Sequence, residues 1–150
     1  ADKKKEIFDE DLDTIAEELA SRAPAVWELE LLQTTAGTGV VPTATVRMKK
    51  ADGTIVQDAA TGDGPVDAVY SAIQRICDVS VRLTDYQIRA ITVGKDAQGE
   101  VSLEIESDGE KVRGRGVSTD IIEASARAYL AAINRCLQRA NGGKRQRSEP

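Results

Sequence analysis

Histidine is absent from this 150-residue chain. With it go the commonest general base and the commonest transition-metal ligand. Aromatic residues make up only 3% of the composition, against 41% hydrophobic residues overall. The interior must therefore come from Ala, Val, Ile and Leu, which bury less area per residue, so an added interface from dimerisation would help. Cysteine occurs twice. Cys77 and Cys136 each fall inside a helical pattern and read as reduced core thiols, not as a disulfide or a metal pair. No apolar run approaches the roughly twenty residues of a membrane span, and no signal-peptide pattern opens the chain. A cytoplasmic protein without a membrane partner is expected. A basic surplus is lacking too, since the formal net charge of -5 argues against nucleic acid as a partner. The first residue is Ala1, followed by a Lys-rich start, which fits a piece cut from a longer protein.

What is present is a repetition. Phe8-Asp9-Glu10-Asp11 leads into Leu12, Ile15, Ala16 and Leu19, an apolar stripe at helical period with acids in the first turn. Ala23-Pro24 stops it, so residues 1–24 are read as a connector helix from an upstream region. Three strand candidates follow. Trp27 to Leu31 and Thr43 to Met48 alternate at period 2, and the third begins at Thr54-Ile55-Val56 after the Ala51-Asp52-Gly53 hairpin signal. Gly62-Asp63-Gly64-Pro65 then opens a helix whose stripe is Val66, Val69, Tyr70, Ile73, Ile76 and Cys77.

The same plan recurs from Val81. A strand to Val93 is followed by a turn at Ala97-Gln98-Gly99, a strand through Val101, Leu103 and Ile105, and a hairpin signal at Ser107-Asp108-Gly109. Gly114-Arg115-Gly116 is matched to the first glycine turn. A helix starts near Asp120 with Glu123 in the capping-box position, and Asn141-Gly142-Gly143 ends it before a disordered tail over 141–150. The expected fold class is α+β, two pseudo-twofold related βββα units, with copies at about 25–78 and 79–140 forming one domain.

Two glycine turns at helix N-termini in matched positions suit a small anionic ligand. Unpaired amides at the start of the 65–77 helix would take a carboxylate, and Asp63 could accept from an ammonium group. Val66, Leu83 or Ala90 could line an apolar pocket, and an α-amino acid would satisfy all three requirements. Each feature also has a plainer structural reading. The glycines could only shape turns, Tyr70 and Tyr86 could finish the core, and Asp85 and Asp120 fit caps or turns better than a catalytic carboxylate pair. The arrangement points to a sensor over a catalyst.

Three segments carry a resemblance to a known family. Gly62-Asp63-Gly64-Pro65-Val66-Asp67-Ala68, then Gly94 to Val101, then Gly114 to Ser125 resemble, in that order, the C-terminal regulatory domain of 2-isopropylmalate synthases. The resemblance implies a parent enzyme that condenses acetyl-CoA with 2-oxoisovalerate in leucine biosynthesis, using a divalent metal in a TIM barrel. It implies a homodimeric regulatory domain that binds leucine and inhibits that barrel. This chain holds neither the barrel nor the paired-histidine metal motif, so no catalytic residue or cofactor is expected on it. Carried over by position, the leucine contacts are Gly62, Asp63, Gly64, Val66, Asp67, Leu83, Tyr86, Ala90, Val117 and Thr119. The nearest alternatives are the isoleucine-sensing domain of citramalate synthases and a dimerisation module with no ligand. Gly116 to Asp120, followed by Ala126 to Tyr129, resembles the isopropylmalate branch more closely.

Overall fold

The computed structural model describes residues 25–93 and 96–147. The leading helix read over residues 9–22 lies outside them. Two antiparallel three-stranded sheets, each followed by a helix, build the fold. The first unit is β1 (Trp27–Gly37), β2 (Val40–Lys50), β3 (Ile55–Thr61) and α1 (Pro65–Cys77). The second is β4 (Arg82–Val93), β5 (Asp96–Ser107), β6 (Glu110–Ser118) and α2 (Ile121–Arg147). The two βββα units expected from the sequence are present, with α1 found at its expected bounds.

Turn chemistry sets the hairpins. Gly53 and Gly109 have φ of 94° and 81°, and Asp108 before Gly109 is also left-handed at 51°. Two successive positive φ values match the twist of the strands they join. A third turn, at Gly39 with φ of 76°, closes β1 onto β2. α1 packs on β2 and β3. α2 packs on β5 and β6, and reaches across to α1 and β1. One continuous core results, from Met48, Val46, Val69 and Ile73 in the first unit to Val101, Leu103, Ile105 and Ile133 in the second.

Five local readings change. First, β1 carries a bulge between Leu29 and Leu31. The extra residue flips the alternation, so Leu31 pairs with Arg47 while Leu32 pairs with Val46 and packs on the core. Second, Ala97-Gln98-Gly99 is not a turn but lies within β5, paired with Thr92, Ile91 and Ala90. Third, Gly114 and Gly116 sit inside β6, opposite Leu103 and Val101, and do not form a turn into the helix. A Cβ at Gly116 would run into the Ala124 carbonyl and come within 2.7 Å of the Ala128 amide; one at Gly114 would meet the Ala128 carbonyl and the Ala132 amide. These glycines let the helix backbone lie directly on the strand. Fourth, α2 continues to Arg147 past Asn141-Gly142-Gly143. Glycine in a helix costs about 1 kcal/mol but does not remove a hydrogen bond as proline does, so a long helix passes through it.

Fifth, the capping box of α2 is indirect. Asp120 Oδ1 accepts from the Ile122 amide at 2.8 Å, as an N-cap should. Glu123 does not reach back to the Asp120 amide. Ser118 stands between them, its hydroxyl donating to Glu123 at 2.7 Å and accepting from Asp120 N at 3.1 Å.

Candidate functional site

The matched start of the first helix is built differently. Counting back from Pro65 and Ile121, the N-cap positions are Gly64 and Asp120, and Gly62 matches Ser118. Gly64 has no side chain to offer, and among the described residues no side-chain hydrogen bond caps the start of α1. Its φ of -156° is ordinary extended backbone, and a Cβ there would meet nothing within 4 Å. Gly62 is different. A Cβ on it would lie 2.5 Å from the Ala68 amide and 2.7 Å from Asp67 Oδ2. Its role is steric clearance for the first turn of the helix, not a left-handed turn. Asp67 uses the same space, its carboxylate accepting from the Asp63 amide at 2.9 Å and closing the loop on itself. Pro65 has no amide to satisfy, and the Ala68 amide bonds the Gly64 carbonyl at 3.0 Å. The Val66 and Asp67 amides belong to the helix's unpaired first turn and carry partial positive charge.

Where the two helices meet, Tyr70 of α1, Tyr129 and Ser125 of α2 and Tyr86 of β4 come together. The Tyr70 and Tyr129 rings stack with centroids 4.0 Å apart and planes 17° from parallel. The Tyr86 and Ser125 hydroxyls share a hydrogen bond of 2.7 Å. Tyr70, 6% exposed, carries the buried side-chain polar atom that lacks a hydrogen-bond partner among the described residues. Burial raises its phenol pKa well above the usual range, and the nearby Tyr86 adds to this while Ser125 partly offsets it. Tyr129 is raised by burial first, then by Cys77 and by Asp67 in the first turn of α1. The Tyr70 and Tyr129 phenols are therefore neutral at neutral pH. Burial likewise pushes the Cys77 thiol up to about 12 and raises Cys136, so neither is a nucleophile at neutral pH.

The carried-over residues form two groups and leave two residues apart. Gly62, Asp63, Gly64, Val66 and Asp67 form the loop and first turn of α1. Leu83, Tyr86 and Ala90 share the inner face of β4, since they pair with Ile105, Leu103 and Gly99. Ile88 stands between them on that face, and Leu83 and Ile88 are 40% and 54% exposed. Val117 does not join either group. It pairs with Glu100 on the outer face of β6, opposite to Gly116, and is 40% exposed. Thr119 is exposed in the turn before α2. Asp85 is no cap or turn residue; it is in mid-strand on the outer face, ion-paired with Arg113 at 3.3 Å.

Two residues escape the sequence reading, which places Tyr129 only in a core stripe and does not single out Asn134. The Asn134 side chain accepts from the Trp27 amide and donates to the Trp27 carbonyl, each at 2.9 Å, across 107 residues of chain. A lone Asn in a helix shows this only once the neighbouring strand is known. Its spacing of four from Leu130 and eight from Ala126, both buried, is the signal that a second face of α2 is covered. Among the described residues no group of three or more metal-ligating side chains gathers, and no helix is long and apolar enough to cross a membrane.

Comparison with known proteins adds a family. Residues 6–137 match the family described as the LeuA allosteric (dimerisation) domain. The chain is 51% identical over 138 residues to a 2-isopropylmalate synthase of Pelotomaculum thermopropionicum, covering 91% of this chain and 27% of that protein. It is 50% identical over 135 residues to one from Heliobacterium modesticaldum, covering 90% and 26%. It is 49% identical over 138 residues to one from Carboxydothermus hydrogenoformans, covering 91% and 27%. The chain thus spans about a quarter of the length of these curated relatives.

Proposed function

This chain belongs to the LeuA allosteric (dimerisation) domain family, and from that premise we propose that it is the leucine sensor of a 2-isopropylmalate synthase. The observation that carries the reading is the contrast between the two helix starts. α2 is closed by Asp120 and the Ser118–Glu123 relay, whereas α1 has only Gly64 at its cap and leaves its amides free for an anion. Leucine's carboxylate occupies the α1 amides. Its ammonium group is met by Asp63 and by acceptor lone pairs of the tyrosine hydroxyls. Its isobutyl group lies against the inner face of β4 at Leu83, Tyr86 and Ala90. Tyr70, buried and without a hydrogen-bond partner among the described residues, gives the ligand a further hydroxyl to bond.

Feedback inhibition requires that leucine bind two states of the parent enzyme unequally. In that parent, a cytoplasmic acyltransferase, the condensation and its divalent metal belong to the catalytic barrel, and this domain contributes binding and dimerisation.

Isothermal titration with leucine, isoleucine and valine tests the proposal, run on the chain and on Gly64→Asp. The substituted carboxylate caps the same amides, as Asp120 does in α2. Fold stability should stay within about 0.5 kcal/mol or rise, while leucine weakens by about tenfold or more. An isoleucine preference moves the chain to the citramalate branch. No heat from any of the three leaves a ligand-free dimerisation module, a reading favoured by the exposed Leu83 and Ile88.

A further inference from the structure

Among the described elements, α2 touches both the proposed ligand seam and the start of the fold. Ser125 and Tyr129, one turn apart on it, engage Tyr86 and Tyr70. Further along the same rigid helix, Asn134 holds both backbone groups of Trp27, the first residue of β1. The contact is buried at both ends, with Asn134 9% and Trp27 5% exposed. Through one N–H and its carbonyl oxygen the side-chain amide presents what a neighbouring strand would, so it closes the open edge of β1 at Trp27. The first copy is built otherwise. Counting from Pro65 and Ile121, the place of Asn134 is taken in α1 by Asp78, which ends that helix in a left-handed conformation with φ of 53°. The clip is one-sided, and it grips the strand where everything N-terminal to Trp27 joins the fold.

We propose that Asn134 is a positioning residue that transmits occupancy of the tyrosine–serine seam, through the body of α2, to the entry of β1. The inference rests on the leucine reading for its ligand, not for its mechanism. A two-residue hydrogen-bonded clip of this kind moves with the helix that bears it. A small shift of α2 on its alanine–glycine seat against β6 would therefore reach Trp27 intact, whereas a lone apolar contact could slip.

Trp27 is the chain's single tryptophan, with the Lys50 ammonium 5.0 Å from its ring centroid, so its emission reports this point directly. The test titrates the 150-residue chain and its Asn134→Ala variant with leucine, following heat for binding and Trp27 emission for transmission. Leucine should bind both. Its effect on emission should fall by about fivefold or more in the variant, the scale of a typical coupling. Equal binding with an unchanged emission response overturns the proposal. Should Asn134→Ala not fold, Asn134→Asp decides by the same criterion, because it keeps the acceptor for the Trp27 amide and loses the donor.

A ligand-free arm separates this inference from the sensor reading. Ser125→Ala perturbs the seam without leucine, and its effect on Trp27 emission is measured with Asn134 intact and again in the Asn134→Ala background. If wild type takes up no leucine, the sensor reading fails. An emission change confined to the chain with Asn134 intact then still supports the clip, and equal changes in both backgrounds overturn it.

Discussion

Gly64 and Gly116 are the same residue kept for opposite reasons. Around Gly64 there is room, and the absent side chain leaves helix amides uncapped. Around Gly116 there is none, and the absent side chain lets α2 sit on β6. Adding one methyl separates the two. Gly116→Ala pushes a Cβ into the backbone of Ala124 and Ala128, which cannot rotate away as a flexible side chain could. A loss of about 2–3 kcal/mol is expected by urea denaturation. Gly37→Ala is the control, because nothing lies within 4 Å and its φ is not left-handed. It should be neutral or stabilising by a few tenths of a kcal/mol, through the unfolded chain.

At the scale of elements, β1 shows how far sequence pattern carries and where it stops. Trp27, Leu29 and Leu31 alternate in the sequence, and the alternation is real up to Leu29. The bulge then exchanges the faces, and no composition signal marks it, because Glu30 is a common exposed residue. The expected consequence is an inversion of sensitivity. Leu32→Thr should cost about 1–2 kcal/mol, while Leu31→Thr should stay within about 0.5. Chemical denaturation of the two variants checks this.

The hairpins at Gly53 and Gly109 and the span of α1 are legible in the sequence, because positive-φ turn residues and a helical stripe act locally. The true partner of the first glycine turn is not. Gly114-Arg115-Gly116 imitates it in letters, yet the structural match is Ser118-Thr119-Asp120, where an acid and a hydroxyl do what glycine leaves undone. Whether a glycine ends a strand or admits a helix depends on what packs above it. The carried-over site is correspondingly uneven: the first turn of α1 and the inner face of β4 form coherent groups, while Val117 faces the other side of its sheet.

For the whole molecule, the two copies support each other unequally. α2 crosses to the start of β1 and buries Trp27, but among the described elements only β5 packs substantially against β4. Leu83 and Ile88 are left at the surface on the very face that should be inside. Isolated exposed apolar residues need no explanation, but a row along one strand of a dimerisation-family domain does. A second chain covering this row would make up for the aromatic-poor core. Ile88→Lys is therefore expected to shift the sedimentation profile from dimer to monomer at micromolar concentration, with the circular dichroism of the helices retained. An unchanged profile would place self-association elsewhere on the surface.

The stacked rings of Tyr70 and Tyr129 and the Asn134–Trp27 clip both join one half of the chain to the other. The ladders and ion pairs lie within one half or the other, but the core that the helices close is shared between them. Cutting the backbone near Ser80, in the short link between α1 and β4, would yield two peptides that each carry a complete βββα pattern and yet half an interior. Apart, each should give the spectrum of a largely unfolded chain. Mixed in equal amounts, they should reconstitute the native fold, making the molecule a heterodimer in waiting that covalent linkage happens to keep in register.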